Sequence, residues 1–72
     1  MVNVNKLRGK IVERGMNIEA LAEKAGMTKD TLYRRIGKGG TDFTIDEADR
    51  IAKALCLTAS ELNSIFFAQY VA

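Results

Sequence analysis

The stretch NIEALAEKAGMTKDTLYRRI, residues 17–36, decides how this chain folds. Ile18, Leu21, Ala22 and Ala25 recur at helical spacing and set one apolar stripe on a helix of about eight residues. Asn17 stands just ahead of that stripe, where its side chain can accept from a first-turn amide. Gly26 ends the helix, because glycine enters the left-handed backbone region at little steric cost. Met27 follows as an apolar hinge, and Thr28 is a second N-cap. Leu32 and Ile36 then lie on the inner side of another short helix. Ala22 is small where two helix axes need to cross closely. The stretch therefore predicts two short helices meeting across a tight turn.

The same signals repeat outward in both directions. Val4, Leu7 and Ile11 form an earlier stripe, with Gly15 placed to end it. Beyond Ile36, Gly37, Gly39 and Gly40 end the third helix and open a loop that reaches Phe43. Thr44 and Glu47 have the spacing of a capping box, and Ile45, Ala48, Ile51, Ala52 and Leu55 form the stripe behind it. Thr58 and Glu61 repeat the box ahead of Leu62, Ile65, Phe66 and Tyr70. No stretch alternates with a period of two. The prediction is all-α: five short helices, no sheet, one domain over residues 1–72, with residues 68–72 unassigned. Cys56, near the end of the fourth stripe, is expected to be a small core residue.

Composition narrows the chemistry. The chain has 72 residues, 47% of them hydrophobic, enough for one thin core that buries ~60% of the unfolded surface. It has no histidine, which removes imidazole acid–base catalysis and His-ligated metals. Its one cysteine removes an intramolecular disulfide and an all-cysteine zinc site. Ser60, Ser64 and Cys56 have no histidine partner, and the carboxylates are scattered, so the expectation is no enzyme, no metal and no cofactor. No apolar run approaches the roughly 18 residues of a membrane span, and Met1–Lys10 lacks the apolar block of a secretory signal. A cytoplasmic protein without a membrane partner is expected. The net charge is only +2, but it is unevenly placed. Residues 1–40 hold nine Lys/Arg against four Asp/Glu, and residues 41–72 hold two against five. A basic half suits phosphate neutralisation, although charged helix surfaces are ordinary too.

Two short helices around a glycine turn make a helix-turn-helix. The run from Leu21 to Leu32 resembles the scanning helix, turn and start of recognition helix of the Cro and CI-repressor family of phage and bacterial DNA-binding domains. Ile51-Ala52-Lys53-Ala54-Leu55, followed by Leu57-Thr58 and Glu61-Leu62, resembles that family's fourth and fifth helices. The resemblance covers roughly residues 5–66. It implies a five-helix lambda-repressor-like domain with the helix-turn-helix at helices 2 and 3. There are two departures. Many members carry Gln where this chain has Ile18, and that Gln braces a phosphate that Ile18 cannot bond. The apolar pair Leu32 and Ile36 is spaced by four rather than three, which looks more like a phage-repressor branch.

The resemblance implies that the first turn of the third helix enters the major groove of double-stranded operator DNA. Lys29, Asp30, Tyr33 and Arg34 face away from Leu32 and Ile36, with Thr28 and Thr31 near the helix start. Lys29 suits guanine O6 or N7, Asp30 suits cytosine N4, and Tyr33 suits a thymine methyl or a phosphate. Arg34 is long enough for base or backbone. Read only as structure, Thr28 caps, Asp30 complements the helix dipole, and Lys29 and Arg34 are solvated. Asn17 with the amides after it, Lys38 in its glycine loop, and Arg35 are the candidate phosphate contacts. Phe66, Phe67 and Tyr70 are the candidate protein interface, with a homodimer on pseudo-palindromic DNA as the partner the resemblance implies. The competing reading is an antirepressor or modulator that works by binding another phage repressor protein.

Overall fold

The computed structural model describes residues 2–67 of the chain. Five helices follow in order: α1 (Val4–Glu13), α2 (Ile18–Ala25), α3 (Lys29–Gly37), α4 (Ile45–Ala54) and α5 (Ala59–Phe66). No strand occurs among the described residues. Each helix starts on a side-chain cap. Asn3, Asn17 and Thr28 accept from the backbone N–H of Lys6, Ala20 and Thr31. Thr44 and Thr58 do the same for Glu47 and Glu61, whose carboxylates return the bond to the cap amides at 2.9 Å, completing both boxes. These caps satisfy amides that the first turn leaves without helical partners. Asn3 is the one cap the sequence reading passed over.

Helices α1 to α4 end alike. A residue with positive φ reverses the chain, and the amide after it reaches back to a carbonyl of the last turn: Met16 to Ile11, Met27 to Ala22, Gly40 to Arg35 and Leu57 to Ala52. Three of the left-handed residues are Gly15, Gly26 and Gly39, and the fourth is Cys56 at φ 54°. Cys56 is exposed at the turn between α4 and α5, which corrects its expected place in the core. The apolar stripe stops at Leu55, and the turn points the next side chain outward.

Leu7, Leu21, Leu32, Ile51, Leu55 and Ile65 are fully buried and form the centre of the core. Helix α2 packs against α3 and α4, and α1 against α5. Ala22, almost fully buried, lets α2 lie close to its neighbours. Phe66 is buried and meets Phe43 edge to face, with ring centroids 5.7 Å apart. It therefore lies in the core, as the inward stripe of α5 predicts, and is not exposed as the expected interface requires. Phe67 is half-buried at the end of α5, and Tyr70 lies outside the described residues.

Polar links fasten the helix ends. The Asn3 amide donates to the Ile65 carbonyl, and Arg14 Nε donates to the Leu55 carbonyl at 2.8 Å. Lys10 pairs with Glu61 on α5 and with Glu13 at 2.8 Å. The Lys10 ammonium, followed by the Thr58 amide, holds the Glu61 carboxyl down to about 2. A carboxyl whose pKa falls on folding stabilises the protein above its unfolded value of 4.5. That contribution disappears as pH falls towards 2. Glu61→Gln should therefore flatten the decline of the urea midpoint between pH 4.5 and 2, leaving a shallower curve than wild type. Parallel curves would show that this carboxylate is not coupled to folding.

Candidate nucleic-acid interface

The caps and turns on either side of α3 orient the proposed reading surface. Leu32 and Ile36 are buried beneath the helix, and this fixes which side faces out. Lys29, Asp30 and Arg34 are exposed, and Tyr33 keeps 50% of its surface. Among the described residues none of these four side chains makes an ion pair or a side-chain hydrogen bond within the chain. They form an outward row on one short helix, bearing two cations, one carboxylate and one phenol. Thr28 and Thr31 differ. The Thr28 hydroxyl accepts from the Thr31 amide and donates to the Thr31 hydroxyl at 2.8 Å, so both are already engaged at the start of the helix.

The three residues expected at phosphates are placed unevenly. Asn17 is exposed at the start of α2, and its side chain is occupied in capping. Lys38 follows α3 and makes an exposed pair with Asp42 at 3.3 Å. Such a surface pair is weak and can open toward a phosphate. Arg35 is held differently. Its Nε and Nη2 donate to the two carboxylate oxygens of Glu47 at 3.0 and 3.1 Å. The pair raises the Arg35 pKa and keeps the Glu47 carboxyl below the usual carboxylate range.

Two features escaped the sequence reading. Arg50 on α4 donates from Nη1 to the Gly26 carbonyl at 3.2 Å and also pairs with Asp46, so it braces the turn between α2 and α3. Nothing in the spacing of 24 residues between Arg50 and Gly26 signals this bond. In addition, Val12, Met16, Ile18 and Tyr33 line an open, mostly apolar groove of about 360 Å³ next to the start of α2. Val12 keeps 74% of its surface there. Both Val12 and Ile18 were visible as apolar residues, but only the folded chain shows that they line one groove.

Among the described residues no three His, Cys, Asp or Glu side chains cluster to hold a metal, and no helix is long and apolar enough to cross a membrane. The two helices α2 and α3, set across the Gly26 turn with the outer side of α3 open, define a helix-turn-helix DNA-binding domain. The model of the Cro/C1-type HTH DNA-binding domain family matches residues 6–67, and the chain belongs to that family. No curated protein and no solved structure matches the chain at a significant level. The family membership makes this a DNA-binding regulator and agrees with the five-helix architecture.

Proposed function

We propose that the chain is a sequence-specific transcription regulator of phage Cro or repressor type, working in the cytoplasm as a homodimer that covers a promoter. The observation that carries this reading is the row Lys29, Asp30, Tyr33 and Arg34, exposed and unengaged on the helix that the family presents to DNA. In the major groove Lys29 donates to guanine, Asp30 accepts from cytosine N4, and Tyr33 packs on a thymine methyl. Arg34 reaches a base edge or the backbone. Lys38 and the amides following Asn17 and Thr28 take phosphates. Two protomers read half-sites about 34 Å apart. The long dimension of one protomer is 32 Å, so two copies placed end to end can meet that spacing.

Selection from a random duplex pool at ~0.1–0.15 M salt tests this, with wild type beside Lys29→Ala/Arg34→Ala. Wild type is expected to enrich a palindromic motif and the double variant to enrich none. Equal enrichment by both proteins would remove α3 as the reader.

A second reading is that of an antirepressor or modulator binding another repressor protein. The groove at Val12, Met16, Ile18 and Tyr33 favours it, because exposed apolar surface beside the reading helix suits a protein partner that competes with DNA. Under that reading neither protein enriches any duplex, and Val12→Asp abolishes partner capture while Lys29→Ala/Arg34→Ala leaves it intact.

A further inference from the structure

The last cation within the reading helix, Arg35, is the one least free to touch DNA. Arg35 lies in the last turn of α3, and Glu47 lies in the first turn of α4. Their side chains keep only 20% and 15% of their surface, and both carboxylate oxygens are engaged by the guanidinium fork. Glu47 Oε1 also accepts from the Thr44 amide at 2.9 Å, and the Glu47 amide donates to the Thr44 hydroxyl. The carboxylate thus closes the α4 capping box and grips α3 at the same time. A planar fork on a carboxylate fixes orientation as well as distance, which a lysine or a single hydrogen bond does not.

Leu32 and Ile36 hold α3 by apolar contact alone, and such contact is not directional. It fixes which side of α3 faces out but leaves the last few degrees of rotation about the helix axis to directional contacts. Base readout needs side chains held within ~0.5 Å and 10–20° of their working geometry. Arg35 is adjacent to Arg34 and two residues from Tyr33, so a turn of the helix at Arg35 moves both.

We propose that Arg35 and Glu47 form a brace for the reading helix: neither touches DNA, and together they set how well the protein tells its operator from other sequences. Withdrawing Arg35 to a phosphate would leave the shielded Glu47 carboxylate unpaired, which is costly. This inference rests on α3 being the DNA-reading helix.

The experiment measures binding of wild type, Arg35→Ala and Glu47→Gln to the duplex that wild type selects and to a scrambled duplex, from 0.05 to 0.2 M salt. Glu47→Gln keeps an oxygen for the Thr44 amide but removes the charge and the second acceptor. Both variants are expected to lose roughly five- to tenfold in the ratio of operator to scrambled affinity, the low end of what one base-reading contact supplies. The slope of log affinity against log salt should stay at the wild-type value, because no phosphate contact is lost. Partial unfolding weakens binding to both duplexes equally, so the ratio separates positioning from stability.

A phosphate-gripping Arg35 gives the opposite pattern. Arg35→Ala would then reduce the salt slope by about 0.9, and Glu47→Gln would free the guanidinium and tighten both duplexes. Either result overturns the brace, as does an unchanged ratio in both variants. A wild type that prefers no duplex would instead overturn the reading of α3 itself, and the brace with it.

Discussion

Leu32→Ala should lower the stability of this domain by about 2–5 kcal/mol, the range for truncating a buried leucine to alanine. Leu32 is fully buried and is the inward anchor of α3, in the cluster with Leu21, Ile51 and Leu55. The loss has two parts: the transfer free energy of the missing methyl groups, and a cavity that neighbouring helices fill incompletely. A chain of 72 residues is held by roughly 4–11 kcal/mol in total. One substitution therefore removes between roughly a fifth of the stability and most of it, and the melting temperature should fall by ~8–40 °C. Leu32→Met conserves volume and should cost less than ~1.5 kcal/mol. Thermal melts followed by circular dichroism check both. A Leu32→Ala protein melting within a few degrees of wild type would show that α3 is not anchored through this residue. Under the proposed function the damage also reaches DNA binding, because the side chains on the far side of α3 point outward only while Leu32 points in.

The fold was readable because its signals are local. Asn17, Thr28, Thr44 and Thr58 each sit next to an apolar stripe of period 3.6, and each caps the helix expected of it. The glycines at 15, 26 and 39 mark turns for the same local reason. What failed were inferences about which way a residue points once a stripe ends. Cys56 continues the spacing of α4 on paper, yet the chain has already turned left-handed there, and the thiol faces solvent. The sequence leaves Phe66 between the inward stripe of α5 and an interface, and Phe43, brought over by the loop after α3, supplies the aromatic partner that keeps it inside.

The candidate site was legible to a similar depth. Which side of α3 faces out follows from Leu32 and Ile36 alone. Whether a given cation is free does not, because its partner lies on another helix. Arg34 and Arg35 are neighbours of the same type, and only the position of Glu47, twelve residues on, separates an unengaged arginine from an engaged one. The Arg50 bond to the Gly26 carbonyl is hidden from the sequence in the same way. Polar tertiary links have no periodicity to betray them.

Gly40→Ala should be the most damaging change outside the helices, and Gly39→Ala gives its measure. Both glycines have positive φ, 74° at Gly39 and 80° at Gly40, so alanine at either pays the left-handed cost of roughly 1–2 kcal/mol. At Gly39 nothing lies within 4 Å of the added methyl, and that cost is the whole effect. At Gly40 the methyl would stand 2.5 Å from Val2 Cβ and 3.0 Å from Val2 Cγ1, so the N-terminal segment must move. Val2 belongs to the small apolar cleft with Phe43, Ala48, Phe66 and Phe67, and displacing it opens that edge of the core. Overpacking of this kind adds about 1–3 kcal/mol. Gly40→Ala should then cost about 2–5 kcal/mol in urea unfolding, clearly more than Gly39→Ala. Val2→Gly combined with Gly40→Ala removes the clash but not the left-handed cost. The pair should therefore be less harmful than the sum of its single changes by roughly 1–3 kcal/mol. Equal losses for Gly39→Ala and Gly40→Ala, with no coupling to Val2, would mean that the N-terminal segment does not rest against the loop after α3. It would also mean that the Gly40 amide, bonded to the Arg35 carbonyl at 3.0 Å, ends α3 without help from the residues before α1.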